Sequence, residues 1–595
     1  MSVLLDQQRT LDVALDRGVG RLFELQHPDG YWVGELESNA TMIAQHLFWH
    51  HMLGLRTREL DRKITNELMA RQRDDGTWAI WFDGPGDLDT TIEAYVALRM
   101  CGVDPGDATR EFIRSKGGIP KSRVFTKCFL ALLDQWPWQR TPPIPPELVL
   151  LPPNAPISIY HFSCWARGTF TPLSVVSALR PVRPAGVDLR DIGARPGETR
   201  PVGRPNRIRR HAIAVAERWV REHQEVDGSW GGIQPPWVWS ILMLATRGHG
   251  FEDETLRRAV EGWDGFLVDE GDRLRPEACQ SPVWDTALTV LALRAAGVSA
   301  DDSRLQKAAA WLLGEEVTTT GDWAIRRPGL EPGGWAFEFQ NDLYPDVDDA
   351  AVVVLALREL GIEGPAIRRG LAWTAGMQSR SGGWGAFDAD NECFWLYKIP
   401  FCDFGKVTDE PSSDVTAHAL EALAYERAHA DVVARGLDWL LGEQEDDGSW
   451  FGRWGVNHIY GTAAALPALE ACGYEPGHPV MRRATAWLDS VQNEDGGFGE
   501  DIRSYEDEAW RGRGVSTPSQ TAWALLAYAA AGKESSPAAD RAASYLCDTQ
   551  QEDGDWQEQH FTGTGFPLAF MIRYHLYRLT FPVLALGRLR ERLSA

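Results

Sequence analysis

The sequence predicts an all-α protein in which helix pairs close into rings or stacks, and three observations carry that prediction. First, a helix followed by Gln, three variable residues, Gly, one residue and an aromatic recurs in seven good copies along 595 residues. Second, uniformly apolar segments of helical length lie between the copies. Third, an Asp-Gly or Gly-Gly pair closes the copies, which supplies the backbone freedom to turn after a helix. Repetition at this spacing is the mark of stacked helical units that cannot bury their apolar faces alone.

In chain order, residues 1–18 (MSVLLDQQRTLDVALDRG) form an amphipathic helix that carries acids and resembles neither a signal nor a transit peptide. The first copies are Gln26…Gly30-Tyr31-Trp32 and Gln72…Gly76-Thr77-Trp78, followed by the apolar helix TIEAYVALRMCG. Residues 180–210 break the pattern: nine arginines with Pro and Gly and little apolar content read as a solvated linker or arm, with contact to anionic lipid as the alternative. The pattern resumes at Gln224…Gly228-Ser229-Trp230 and the helix DTALTVLALRAAGV, and a degenerate copy is expected to end at Trp323. Later copies start at Gln378, Gln444, Gln492 and Gln550 and end at Trp384, Trp450, Phe498 and Trp556, with the helix TPSQTAWALLAYAAAG among them. In each copy the aromatic is expected to stack on the Gln amide and plug the junction with the next helix.

Bulk properties exclude several classes. A net charge of −24 argues against a nucleic-acid partner, since binding polyphosphate needs a basic face. The eight cysteines are scattered, with no CxxC pair and no zinc spacing, so they read as small buried hydrophobes in a reducing, cytoplasmic compartment. No run of 18 apolar residues is present.

The run Tyr344-Pro345-Asp346-Val347-Asp348-Asp349 opens the apolar helix AAVVVLALREL. Three carboxylates this close cannot all ionise, so at least one is expected to keep its proton near neutrality. An acidic cap and first turn, favoured by the helix dipole, is the plainer reading. Set among 26 tryptophans, a protonated acid suggests protonation of an unreactive carbon substrate and guidance of the resulting cation.

Together with the repeats and YPDVDD, the blocks DLDTTIEAYVAL (87–98), SRVFTK (122–127), SWGGIQPPW (229–237), SPVWDTAL (281–288), IPFCDFGKVTD (399–409), SDVTAHALE (413–421), GRWGVNHIYGT (452–462), STPSQTAWAL (516–525) and FTGTGFP (561–567) run nearly end to end. In them the chain resembles the squalene–hopene cyclase family of class II terpene cyclases. The resemblance implies two α-α barrels joined as a dumbbell around a central apolar cavity: 1–35 with 280–595 as the first barrel, and 36–279, carrying the arm at 180–210, as the second. It implies Asp348 as proton donor, His418 hydrogen-bonded to it, and Asp346, Asp349, Asp414 and Tyr460 in the same network. Cavity aromatics map onto Trp165, Trp284, Phe337, Phe387, Phe401, Trp454, Phe566, Phe570, Tyr574 and Tyr577. A polar end that removes the last proton through water maps onto Gln45, Glu93, Arg123 and Gln234. No metal or cofactor is implied. The partner is a linear isoprenoid, with weak peripheral attachment at the inner face of the cell membrane and a homodimer both left open. Asp87 and Asp89 of DLDTT resemble the acid motif of diphosphate-handling cyclases, but in this block they read as structural.

Departures from the family pattern bear on substrate. Ala350 replaces the usual Thr, Gln45 a common Glu, and Arg573 a small residue near the cavity wall. The docking insertion is depleted, while Cys393-Phe394-Trp395-Leu396-Tyr397 is unusually apolar beside the expected entrance, which Phe170 narrows further. Squalene leading to a hopene-like product, a linear sesterterpenoid and a prenylated aromatic all stay open. A protein prenyltransferase β-subunit requires an Asp/Cys/His zinc site that the sequence does not offer. A non-catalytic isoprenoid-binding barrel is the remaining alternative.

Overall fold

Six apolar helices close a ring in which each packs on the next and the last returns to the first: Pro282–Ala295, Val347–Glu359, Ser413–Leu423, His458–Ala471, Pro518–Ala530 and Tyr577–Ser594. The computed structural model describes residues 2–403 and 405–594; Met1, Phe404 and Ala595 lie outside the described residues. Each ring helix carries an outer partner: Ser303–Gly314, Pro365–Gly376, Ala430–Gly442, Pro479–Val491, Pro537–Thr549 and, against Tyr577–Ser594, the N-terminal helix Ser2–Glu24. The inner helices are buried nearly all round, whereas the outer ones bury one stripe, as expected of two concentric layers. This is an α-α barrel.

A less regular second ring has Ala40–Leu53, Leu88–Met100, Val124–Leu132, Cys164–Leu179 and Gln234–Thr246 inside. Its outer helices are Arg58–Ala70, Asp107–Ser115, Arg207–Glu222 and Glu254–Gly262. Between Val124–Leu132 and Cys164–Leu179 the chain runs through short 3-10 turns, and Phe125 and Phe170 stack across the gap at 6.3 Å. Strand Leu36–Glu37 ties the junction together by pairing with Phe570–Tyr574, which in turn pairs with Gly563–Phe566.

The repeats work as clamps. Each Gln amide donates to the carbonyl of its own Gly and to a carbonyl in or next to the following outer helix, usually in its first turn. Gln378 reaches Val432 O (2.9 Å), Gln444 reaches Val480 O (3.1 Å), Gln492 reaches Ala538 O (2.8 Å) and Gln550 reaches Ala14 O (2.9 Å). The last of these locks the N-terminal helix into the C-terminal ring. Each Trp of the repeats is buried with its indole N–H on a carbonyl in the last turns of the preceding outer helix, as in Trp384 to Thr374 O (2.7 Å) and Trp450 to Leu440 O (2.7 Å). Carbonyls at a helix end keep only a short-range backbone bond, as Thr374 O from Met377 N (3.2 Å), so each indole completes their bonding while filling the joint. The Gln amide is therefore used up on backbone carbonyls, a role the expected stacking did not foresee. Gly448 shows why glycine is required: φ is +101°, and a Cβ there would lie 2.6 Å from Arg483 O.

Two expectations change. The degenerate repeat does not end functionally at Trp323, which packs edge-on to Trp373. Trp335 makes the repeat's bond, to Leu312 O (2.6 Å), after an insertion that the spacing rule could not bridge. The arm at 180–210 is solvated only in its second half. Arg183 N and Ala185 N pair with Leu132 O and Leu133 O, Arg195 N pairs with Gln135 O, and Leu189 and Ile192 are buried. Two well-spaced aliphatic residues anchor a stretch whose average composition is polar.

Candidate active site

An aromatic cavity of about 110 Å³ lies between the two rings. Trp165, Trp284, Phe337, Phe387, Trp454, Phe566, Phe570, Tyr574 and Tyr577 line it, together with Tyr460 and the acids Asp346, Asp348 and Asp349. Trp165 meets Phe387 and Trp454 edge-on at 5.9 Å each, and Phe566 lies 5.9 Å away. Tyr574 and Tyr577 stack at 4.2 Å, and Tyr577 Oη accepts from Trp284 Nε1 at 2.9 Å. The hairpin of Gly563–Phe566 and Phe570–Tyr574 supplies one wall. Strand alternation turns Phe570, Ile572 and Tyr574 inward and Met571 and Arg573 outward. Arg573 therefore binds Glu37 (3.1 Å) rather than bordering the cavity. Phe401 also lies outside the lining, edge-on to Phe170 at 5.1 Å.

The acid motif caps helix Val347–Glu359. Asp346 Oδ1 accepts from Asp348 N (2.7 Å), while Asp346 N is tied to Trp335 O (2.7 Å) and Val347 N to Ala386 O (2.8 Å). The first turn is thereby fixed and its side chains are aimed at the cavity. His418 Nδ1 lies 2.6 Å from Asp348 Oδ1. Burial disfavours the imidazolium, but the charge and hydrogen bond of Asp348 outweigh it and raise His418 to about 9. Asp346 and Asp349 are held well above the usual carboxylate range, first by burial and then by repulsion from Asp348 and from Asp346 respectively. Both oxygens of Asp349 lack a partner. Asp414, whose charge acts on His418, receives Ser412 Oγ, Arg453 N (2.9 Å) and Trp454 N (2.7 Å), which seats Trp454 in the wall. His418 faces away from the cavity into a mixed polar and apolar funnel inside the C-terminal ring, shared with Tyr460 and Glu421 and rimmed by the exposed Glu591 and Arg592.

The four polar-end residues do not line the cavity. They form a cluster behind it: Gln234 Nε2 donates to Gln45 Oε1 (3.1 Å), Gln45 Nε2 to Glu93 Oε2 (2.8 Å), and Thr126 Oγ1 to Glu93 Oε1 (2.5 Å). Burial raises Glu93 to about 7. Ile233, just before Gln234, and Pro236, two residues after it, reach the cavity. Arg123 is held by Asp87 and Asp89 at 3.0 Å each, and Asp87 caps helix Leu88–Met100, so the DLDTT acids are structural. The sequence did not single out Glu338, Asn341, Cys164 or Cys279, which also line the cavity, because each sits in a block with no charge or spacing signature.

Among the described residues, the one group spaced for a metal is Glu35, Glu37 and His575. Arginines 275, 71 and 573 occupy its carboxylates.

The squalene-hopene cyclase C-terminal domain matches residues 280–591, and the N-terminal domain matches 15–204 and 200–272. The squalene–hopene cyclase of Alicyclobacillus acidocaldarius is 46% identical over 97% of both chains. That of Zymomonas mobilis is 39% identical over 97% of this chain and 95% of its own. A dammaradiene synthase of Dryopteris crassirhizoma is 38% identical over 98% and 94%. The ent-copalyl diphosphate synthase of Streptomyces platensis shares the fold, with a TM-score of 0.52, 17% identity, and 98% and 99% of the two chains covered. The chain belongs to the squalene–hopene cyclase family and is a class II terpene cyclase acting on a linear isoprenoid.

Proposed function

We propose that Asp348 protonates the terminal alkene of a linear isoprenoid and that the aromatic wall steers the cation through a polycyclisation. Squalene is the substrate suggested by the names of the relatives, with a hopene-like product. The observation that carries the reading is the Asp348–His418 contact of 2.6 Å at the edge of an aromatic cavity. An alkene is a far weaker base than water, so its acid must be strong and dry. With His418 donating to Oδ1, the transferable proton belongs on the other oxygen. The imidazolium and the helix N-terminus then stabilise the carboxylate left behind. Asp346 and Asp349, kept protonated by burial, avoid trapping the cation as an ester. The funnel behind His418 gives solvent a route by which the pair regains its proton.

Each aromatic face contributes roughly 0.5–2 kcal/mol to a passing cation without bonding to it. At the far end, Glu93, Gln45 and Gln234 suit removal of the last proton through water. Attachment to a membrane is proposed to be weak and peripheral, through Phe394 (56% exposed) and Trp395 (44%) alone, since Leu396 is buried and Tyr397 Oη bonds Thr408.

The test of the donor is Asp348→Asn incubated with squalene and shorter polyprenols, with extracts read by mass spectrometry. The expected result is loss of cyclised product at an unchanged melting temperature. Substantial cyclisation by that variant would remove Asp348 from the role. Liposome flotation at low and high salt, with Phe394→Ser plus Trp395→Ser as control, tests attachment; wild-type protein that never floats would refute it.

A further inference from the structure

Part of the cavity wall is not apolar and plays no part in the proposed protonation. Glu338 is 5% exposed and Asn341 is 3% exposed, and both line the cavity beside Trp230, Gly231 and His223. Asn341 Nδ2 donates to Glu338 Oε2 at 2.9 Å, but Asn341 Oδ1 is buried with no partner. The place is built for them. The Gly231-Gly232 turn of the N-terminal ring crosses over the pair with φ of +61° and +58°, and a Cβ on Gly232 would stand 2.3 Å from Glu338 Cγ. The other polar groups in this part of the wall are already engaged: His223 Nε2 lies 3.1 Å from Asp322 Oδ1, and Tyr344 Oη donates to Asp322 Oδ2 at 3.0 Å.

We propose that Glu338 and Asn341 form a subsite for one oxygen of the substrate, so that the chain accepts an isoprenoid carrying a hydroxyl within two isoprene units of the alkene protonated first. The hydroxyl hydrogen would go to Asn341 Oδ1, and the oxygen would accept from the Glu338 carboxyl. That second bond needs a neutral Glu338. Burial raises it to about 8, and the charged groups acting on it, Glu225 and Asp227, are themselves acids. The position along the substrate follows from the neighbours: Glu338 lies three residues beyond Trp335, whose carbonyl holds Asp346 N at 2.7 Å, and it lines the same cavity as Asp346 and Asp349. An apolar chain alone would leave Asn341 Oδ1 unpaired, which is costly in a dry site.

The inference rests on the cyclase reading for the direction of the chain only, and binding tests it without turnover. In the Asp348→Asn protein, quenching of tryptophan fluorescence gives dissociation constants for geraniol and for 2,6-dimethylocta-2,6-diene, the same skeleton without oxygen. Two neutral hydrogen bonds predict about tenfold tighter binding of the alcohol. Adding Glu338→Leu or Asn341→Leu should abolish that preference and leave the hydrocarbon's affinity unchanged. If a leucine variant does not fold, Asn341→Ser carries the test and should lose most of the preference. Equal affinity for the two probes would mean that the pair holds only ordered water, and would overturn the proposal. So would a preference that survives substitution at both residues. Cyclisation by Asp348→Asn would sink the donor assignment without touching this result, so the two readings fail separately.

Discussion

Two buried polar clusters flank the same cavity, and they are built oppositely. At the Asp346–Asp348–Asp349 cluster the acids line the cavity, stand in the first turn of a helix and have a histidine raised to about 9 as neighbour. At the Glu93 cluster the acid is withdrawn from the cavity and wrapped in neutral donors, Thr126 Oγ1 and Gln45 Nε2. Carboxyl chemistry is common to both; the neighbours and the access differ. A cation behind an acid that lines the cavity favours giving up a proton to it. Burial, only partly offset by its neutral donors, leaves the sealed acid at about 7, where it can take one up. The C-terminal ring also closes through all six helices, whereas the N-terminal ring is patched by short turns. The demanding protonation is thus proposed to sit on the more rigid scaffold.

The largest effect that would sharpen this contrast is at His418. His418→Ala should lower the rate by about 10²–10³-fold by removing the cation that stabilises the Asp348 carboxylate, with little change in unfolding midpoint. A rate near wild type would erase the difference between the clusters. Next come the wall residues. Phe566→Ala and Phe570→Ala should release partly cyclised products, because a cation without its aromatic partner loses a proton early. Normal product formed more slowly would make these rings packing elements.

The smallest effect separates the clusters by pH. Glu93 is raised in the folded state from about 4.5 to about 7. The folded protein therefore binds more protons than the unfolded chain across that window, and this contribution to stability falls as pH rises through it. Glu93→Gln should flatten the decline of the melting temperature between about pH 4.5 and 7. For His418 the same sign applies at higher pH: its contribution is complete below about 6.5 and is lost as pH rises through about 9. His418→Ala should leave the lower window unchanged. Coincident changes in both variants would show the clusters to be one coupled unit.

The rings were readable in the chain because Gln, Gly and Trp recur at a spacing that only stacked helix pairs require. What that spacing could not show was the insertion that passes the repeat's hydrogen bond from Trp323 to Trp335. The acid motif was legible as a charge conflict at a helix start, but its partner is 70 residues away on another ring helix, and only the block around His418 pointed to it. Arg573 was misjudged because a one-residue shift along a strand reverses which face a side chain takes. Phe401 matched by position yet packs edge-on to Phe170 outside the cavity lining. Glu338 and Asn341 carried no signal at all, since a single acid and a single amide acquire meaning only when a turn from the other ring closes over them.

The central claim is that turnover begins with an enzyme-held proton in equilibrium with water. Running the wild-type reaction with squalene in D₂O and weighing the product tests it most directly. The account predicts one deuterium per product molecule, carried at the terminus where cyclisation starts, because one solvent-derived hydron is added and one substrate proton is lost. Cyclised product without deuterium would contradict it.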